Sequence, residues 1–138
     1  MSTYQSPIDQ EIAALMIQDD ITGTVTEGGP SSRVYDAQSR VFTVEFVCEG
    51  RRDCFAVYVG VAHPDIDLGF ALRWLLDTAS HAEEDTYERW IAEDGTFYVN
   101  ELGEEAAHAL YEESHEVGRK LRQVLGEEAY SALAEALR

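Results

Sequence analysis

Val41-Phe42-Thr43-Val44-Glu45-Phe46-Val47-Cys48-Glu49-Gly50-Arg51-Arg52-Asp53-Cys54-Phe55-Ala56-Val57-Tyr58-Val59 is the stretch that decides the fold class. Phe42, Val44 and Phe46 alternate with smaller or polar residues, and Phe55, Val57 and Val59 do the same after a short polar break around Gly50. Alternation with a period of two puts alternate side chains on one side of a half-buried strand, so the stretch reads as an antiparallel hairpin. Placing Phe46 opposite Phe55, Val44 opposite Val57 and Phe42 opposite Val59 gathers the large apolar groups on one face. That register closes on a two- or four-residue loop around Gly50-Arg51. Cys48 then faces Asp53 and Cys54 faces Val47, with the two thiols on opposite sides of the sheet. A slip of one residue would align the cysteines but set Phe46 against Ala56. Burial of the apolar face should prevail, so two free thiols are expected, as suits a reducing compartment.

Upstream, Ile8, Ile12, Leu15 and Met16 form a helical stripe over about Ile8 to Ile17, with Pro7 at the first turn and Ser6 placed to cap it. Ile21 to Glu27 is rich in threonine and β-branched residues and reads as a strand, broken by Gly28-Gly29-Pro30-Ser31-Ser32. Downstream of His63-Pro64 the pattern turns helical. Asp67 is a cap for a helix over Leu68 to Ser80 that buries Phe70, Trp74, Leu75 and Ala79. A short helix over Glu83 to Glu93 offers Tyr87, Trp90 and Ile91 inward, and Asp94-Gly95 ends it. A long helix follows from about Leu102 to Leu125, striped by Ala106, Leu110, Val117, Leu121, Val124 and Leu125 and weakened by Gly103 and Gly118. Gly126 breaks it, and Glu127 to Leu137 forms a last helix through Tyr130 and Leu133. The expected fold is α+β in one domain over 1–138: a helix and small antiparallel sheet at about 8–61, then a half of about four helices at about 67–138.

The chain has 138 residues, 45% of them hydrophobic, enough to bury a core without disulfides or a metal. Its start lacks a signal peptide's basic and apolar regions, and no apolar run approaches the ~20 residues of a membrane span, so a cytoplasmic location is expected. The formal net charge is −17, and it is unevenly spread. Between Ala82 and Gly118 lie twelve acids and a single base, Arg89. Such a field repels nucleic acid and anionic membrane and attracts basic protein surfaces. Halophilic adaptation also yields acidic, lysine-poor chains, and Lys120 is the one lysine here, but the clustering of the acids is not what that adaptation requires.

From the hairpin onward the order of signals resembles a group of small uncharacterised proteins of bacteriophages and prophages. The carriers of the likeness are Phe55 to Gly60, Val61-Ala62-His63-Pro64, Ala71-Leu72-Arg73-Trp74-Leu75-Leu76-Asp77, Tyr87-Glu88-Arg89-Trp90 and Arg119-Lys120-Leu121-Arg122-Gln123-Val124-Leu125-Gly126. The chain departs from the group at Gly95-Thr96-Phe97-Tyr98, where a Gly-Tyr-Asp turn is frequent. The resemblance implies a phage or mobile-element accessory protein acting in the host cytoplasm. It supplies no catalytic residues.

Residue chemistry points the same way. Glu83, Glu84, Asp85, Glu88, Glu104, Glu105, Glu112, Glu113 and Glu116 are the expected partner-binding set. Their carboxylates would imitate DNA phosphates and occupy a basic groove of a host defence protein, such as a CRISPR effector or restriction enzyme. Glu112 and Glu116 are like-charge neighbours four apart, which costs a helix roughly 0.2–0.5 kcal/mol. Acids early and Arg119, Lys120 and Arg122 late also suit the helix dipole, but this does not account for Glu83 to Asp94. No enzyme activity and no cofactor are expected, nor direct nucleic-acid or membrane binding, while a homodimer is compatible with the sequence. Two alternatives stand beside this reading. One is a structural, assembly or homo-oligomeric phage protein whose charge serves solubility. The other is a metal-dependent enzyme using His108, Glu112 and His115, spaced to share a helix face.

Overall fold

The computed structural model describes residues 7–30, 40–59, 66–84, 86–91 and 103–137. The order of elements is α1 (Pro7–Gln18), β1 (Thr22–Pro30), β2 (Arg40–Cys48), β3 (Arg51–Val59), α2 (Leu68–Glu84), α3 (Tyr87–Trp90), α4 (Glu104–Leu125) and α5 (Glu127–Ala136). The fold is α+β, with a three-stranded antiparallel sheet in the order β1-β2-β3 followed by helices. Ser6, the expected cap of α1, lies outside the described residues.

The hairpin forms with its expected faces but with a register two residues away from the expected one. Val44 pairs with Phe55, Phe42 with Val57 and Arg40 with Val59, while Cys48 faces Arg51 and Cys54 faces Glu45. The turn explains the shift. It is centred on Glu49-Gly50, both at positive φ (51° and 83°), the signature of a two-residue type I′ turn that matches strand twist and favours glycine at its second position. A shift of two leaves every side chain on its original face, so the apolar set Phe42, Val44, Phe46, Phe55, Val57 and Val59 is still buried. Both cysteines are free, Cys48 buried and Cys54 exposed on the other face.

β1 is longer than expected. A bulge between Glu27 and Gly29 absorbs one residue, and pairing resumes with Gly29 opposite Val41 and Pro30 opposite Arg40. Proline is tolerated there because β1 is an edge strand. Gly23 is needed for another reason: a β-carbon on it would lie 2.3 Å from the carbonyl oxygen of Glu45 and 3.2 Å from Leu68 Cδ2.

Asp67 caps α2 as expected, its carboxylate accepting from the amide of Phe70 at 2.8 Å. The helix continues past Ser80 to Glu84, so Glu83 and Glu84 belong to it rather than to the short helix. Thr86 starts α3 instead, its hydroxyl accepting from the amide of Arg89 at 3.3 Å. α4 starts at Glu104, with Gly103 just outside it at φ 93°. Its deepest residues are Ala107, Tyr111, Gly118, Leu121, Val124 and Leu125, while Ala106, Leu110 and Val117 are only half-buried. The face is rotated because Gly118 lets α2 approach closely; a β-carbon there would stand 3.3 Å from Ala79 Cβ.

The main core joins α1, the inner face of the sheet, α2, the second half of α4, and α5. A smaller one, of Ala82, Trp90 and Tyr111 with Tyr87, Ile91 and Leu110 against it, ties α3 to the first half of α4. Two bridges lock helices to their neighbours. The fully buried Asp9 on α1 accepts from Arg73 Nε on α2 at 2.6 Å. Arg51 Nε donates to the carbonyl of Val124 at 3.0 Å, bringing a cation to the carbonyl end of α4 where the helix dipole favours it. No described helix is long and apolar enough to cross a membrane.

Candidate acidic interaction face

The expected contact residues do not all meet on one surface. Along α4, Glu105, Glu112 and Glu116 recur at spacings of seven and four, so they share one stripe, and all three are exposed. Glu104 is exposed beside them, and Glu113 is half-buried on the flank. Glu88 is exposed on α3, which Tyr87 fastens to α4 through its ring contacts with His108 (4.6 Å between centroids) and Tyr111 (5.4 Å). Burial raises the Tyr87 phenol above its ordinary pKa, and the charges of Glu104 and Glu88 raise it further.

Glu83 is different. It points inward from α2, its carboxylate paired with Arg122 and accepting from the Tyr130 hydroxyl at 2.8 Å. Burial works against the Arg122 charge, but the hydrogen bond to Glu83 and the charges around it together outweigh burial, and the guanidinium pKa is raised. Tyr130 is held well above the usual phenol range by burial first and then by Glu83. Glu83 thus fastens α2 to α4 and α5 and is not part of an open face. The side chain of Glu84 and all of Asp85 lie outside the described residues, as do Glu93, Asp94 and Glu101.

The cations of α4 are engaged. Arg119 grips Glu116, its Nε donating at 2.9 Å, and this bond lowers the Glu116 pKa. Lys120 reaches β3, 3.5 Å from Asp53 and over the Phe55 ring at 4.6 Å. Arg122 holds Glu83 and also lies 3.4 Å from Glu127. By contrast, Glu88, Glu104, Glu105 and Glu112 make no ion pair among the described residues. Charge is therefore segregated along α4: its first half carries uncompensated carboxylates, its second half is knitted into the fold.

His108, Glu112 and His115 do not assemble a metal centre. The His108 ring lies against Tyr87, and His115 meets Tyr111 edge-on at 4.8 Å. Among the described residues no group of three His, Cys, Asp or Glu side chains is placed to hold a metal ion. His63 and Pro64 lie outside the described residues. The sequence pointed to Tyr87 and Trp90 as inward residues but missed the role of Tyr111, which joins them and carries both histidines; its spacing of four from Ala107 and seven from Gly118 was the available signal. Comparison with protein-family models, with curated proteins and with solved structures gives no match to this chain.

Proposed function

We propose that this chain is an accessory protein of a phage or mobile element that binds a basic nucleic-acid-handling protein of the host, in the host cytoplasm, and inhibits it by occupying its nucleic-acid groove. The observation that carries the reading is the charge segregation on α3 and α4. Four exposed carboxylates, Glu88, Glu104, Glu105 and Glu112, lie outside any described ion pair, while the bases of α4, Arg119, Lys120 and Arg122, are engaged with other carboxylates. The contact set thereby narrows to these four, with Glu113 and the partly neutralised Glu116 at its margin.

Glu104 to Glu112 spans eight residues, or ~12 Å of helix at 1.5 Å each. Duplex DNA carries ~7 phosphate charges over that length, at one per ~1.7 Å. Three carboxylates from α4 and one from α3 reach about half that density. The face would therefore act as a partial decoy whose hold depends on several arginines or lysines of the partner at once, and it would be sensitive to salt.

The test is a pulldown of tagged protein from lysates carrying defence nucleases, repeated with competing duplex DNA and with raised salt. The expected result is one nuclease or surveillance complex, released by either competitor. In the combined variant E88K/E104K/E105K/E112K, exposed contacts of ~0.2–1 kcal/mol become repulsive, so affinity for the captured partner should drop ~30-fold or more. Retention at wild-type affinity would rule out the decoy mechanism.

A further inference from the structure

We infer that the outer face of the sheet is a self-association surface that takes a second copy of this chain. The helices cover one side of the sheet, where Phe42, Val44, Phe46, Phe55 and Val57 are buried. On the other side Thr24, Thr43, Arg52, Cys54 and Ala56 are exposed and Glu45 is half-exposed. This side is apolar to mildly polar and carries one described cation and one described anion, in a chain whose net charge is −17. A basic partner would find no excess of carboxylates on it. An identical copy would find a neutral surface.

The two charges make the face self-complementary. Glu45 pairs with Cys54, and Arg52 with Val47, so the carboxylate and the guanidinium lie diagonally across neighbouring strands. A two-fold axis parallel to the sheets, midway between them and running across the strands between the levels of Glu45 and Arg52, brings each Arg52 to within one strand spacing of the partner copy's Glu45, inside the reach of a guanidinium, in the isologous arrangement in which each contact occurs twice. Sheets stack face to face at ~10 Å with threonine, valine and alanine side chains between them. The acidic stripe of α4 belongs to the layer on the far side of each sheet, so the most strongly charged parts of the two copies point away from each other.

Size sets the strength. Three strands at ~4.8 Å and about seven residues at ~3.4 Å give a patch of ~14 by ~24 Å. Two copies bury on the order of 700 Å² in plan, within the range of weak, reversible contacts. The dimer is therefore concentration-dependent, and raised salt strengthens it by screening the net charges, opposite to the effect expected on a basic partner.

Sedimentation equilibrium from ~5 to ~500 μM, at low and raised salt, reads the mass, and the reaction rate of the Cys54 thiol reads the face itself. The expected outcome is a mass rising toward that of a dimer, more so at raised salt, with Cys54 reacting at least ~3-fold more slowly at the top of the range. T43E should restore the monomer, R52E should weaken association at least ~10-fold, and E45R/R52E, which swaps the charges, should recover it to within ~3-fold. A monomeric mass with constant Cys54 reactivity over the whole range would overturn the inference, as would a dimer indifferent to R52E and leaving Cys54 unprotected. The readouts in wild-type protein and the charge-swap pair decide the matter even if T43E fails to fold. The E88K/E104K/E105K/E112K variant should dimerise undiminished, so loss of partner binding and loss of self-association are separable.

Discussion

Replacing Glu83 should damage the fold far more than the partner-binding face. Its carboxylate is paired with Arg122 and accepts from Tyr130 at 2.8 Å, so Glu83→Ala strips two charge-assisted bonds from a junction of three helices. Each such bond is worth ~1.5–3 kcal/mol when fully shielded. The side chains of Glu83 and Arg122 keep 23% and 35% of their exposure, so water recovers part of that loss, and the net cost should be about 2–3 kcal/mol. For a domain of this length 1 kcal/mol moves the melting midpoint by roughly 3–5 °C, so a fall of ~6–15 °C is expected. Tyr130→Phe should cost ~1–2 kcal/mol alone and much less in the Glu83→Ala background, because the two share one bond. Gly118 tests the same carboxylate from the neighbouring helix. A β-carbon there would sit 2.5 Å from Glu83 Oε1, so Gly118→Ala should destabilise the wild type by displacing the carboxylate. Once Glu83 is alanine, the same substitution should cost much less, because only the 3.3 Å approach to Ala79 Cβ is left to oppose a helix-propensity gain of ~0.5–1 kcal/mol. Urea unfolding of the four Glu83/Gly118 combinations measures the cycle. A Glu83→Ala cost below ~0.5 kcal/mol, or a Gly118→Ala effect of the same sign and size in both backgrounds, would refute the reasoning.

Glu49 stands at positive φ in the first position of a type I′ turn, where asparagine is better suited, so Glu49→Asn should raise stability by ~0.5 kcal/mol despite losing the exposed pair with Arg51; an unchanged or lower urea midpoint would count against the turn assignment. Stability should also fall under alkaline conditions. Burial raises the Cys48 thiol, and burial with Glu83 raises the Tyr130 phenol, so both groups stay protonated in the folded chain after their unfolded counterparts ionise. Their contributions are complete below the unfolded values of ~8.5 and ~10 and decline as pH rises beyond them, by up to ~1.4 kcal/mol per unit for each group. Urea midpoints between pH 7 and 11 should show a steepening loss above pH 10 that Tyr130→Phe lessens, with the raised Cys48 thiol and Tyr87 phenol supplying the remainder; a profile unaltered by that variant would exclude Tyr130 as a source.

The order of elements and the faces of the hairpin were legible in the chain, because both follow from local periodicity: two for Phe42 to Phe46 and Phe55 to Val59, near 3.6 for the stripes of the helices. The free thiols followed from the same alternation, since Cys48 and Cys54 fall on opposite faces in either register. The cap at Asp67 was equally local. Register was not, because a two-residue shift preserves every face, and the choice was made by the positive φ values at Glu49 and Gly50 with Arg51 anchored on the end of α4. Nor did composition reveal which carboxylates are open to a partner. Glu83, Glu112 and Glu116 are chemically identical in the sequence; only packing distinguishes a half-buried clamp, an unpaired surface charge and a charge already held by arginine. What the sequence by itself determined was the inventory of strands and helices and the excess of negative charge, both sums over near neighbours. Which charges remain for another molecule, and which side of the sheet is left uncovered, were decided by contacts between residues tens of positions apart, and those exist only once α2, α4 and the hairpin have packed together.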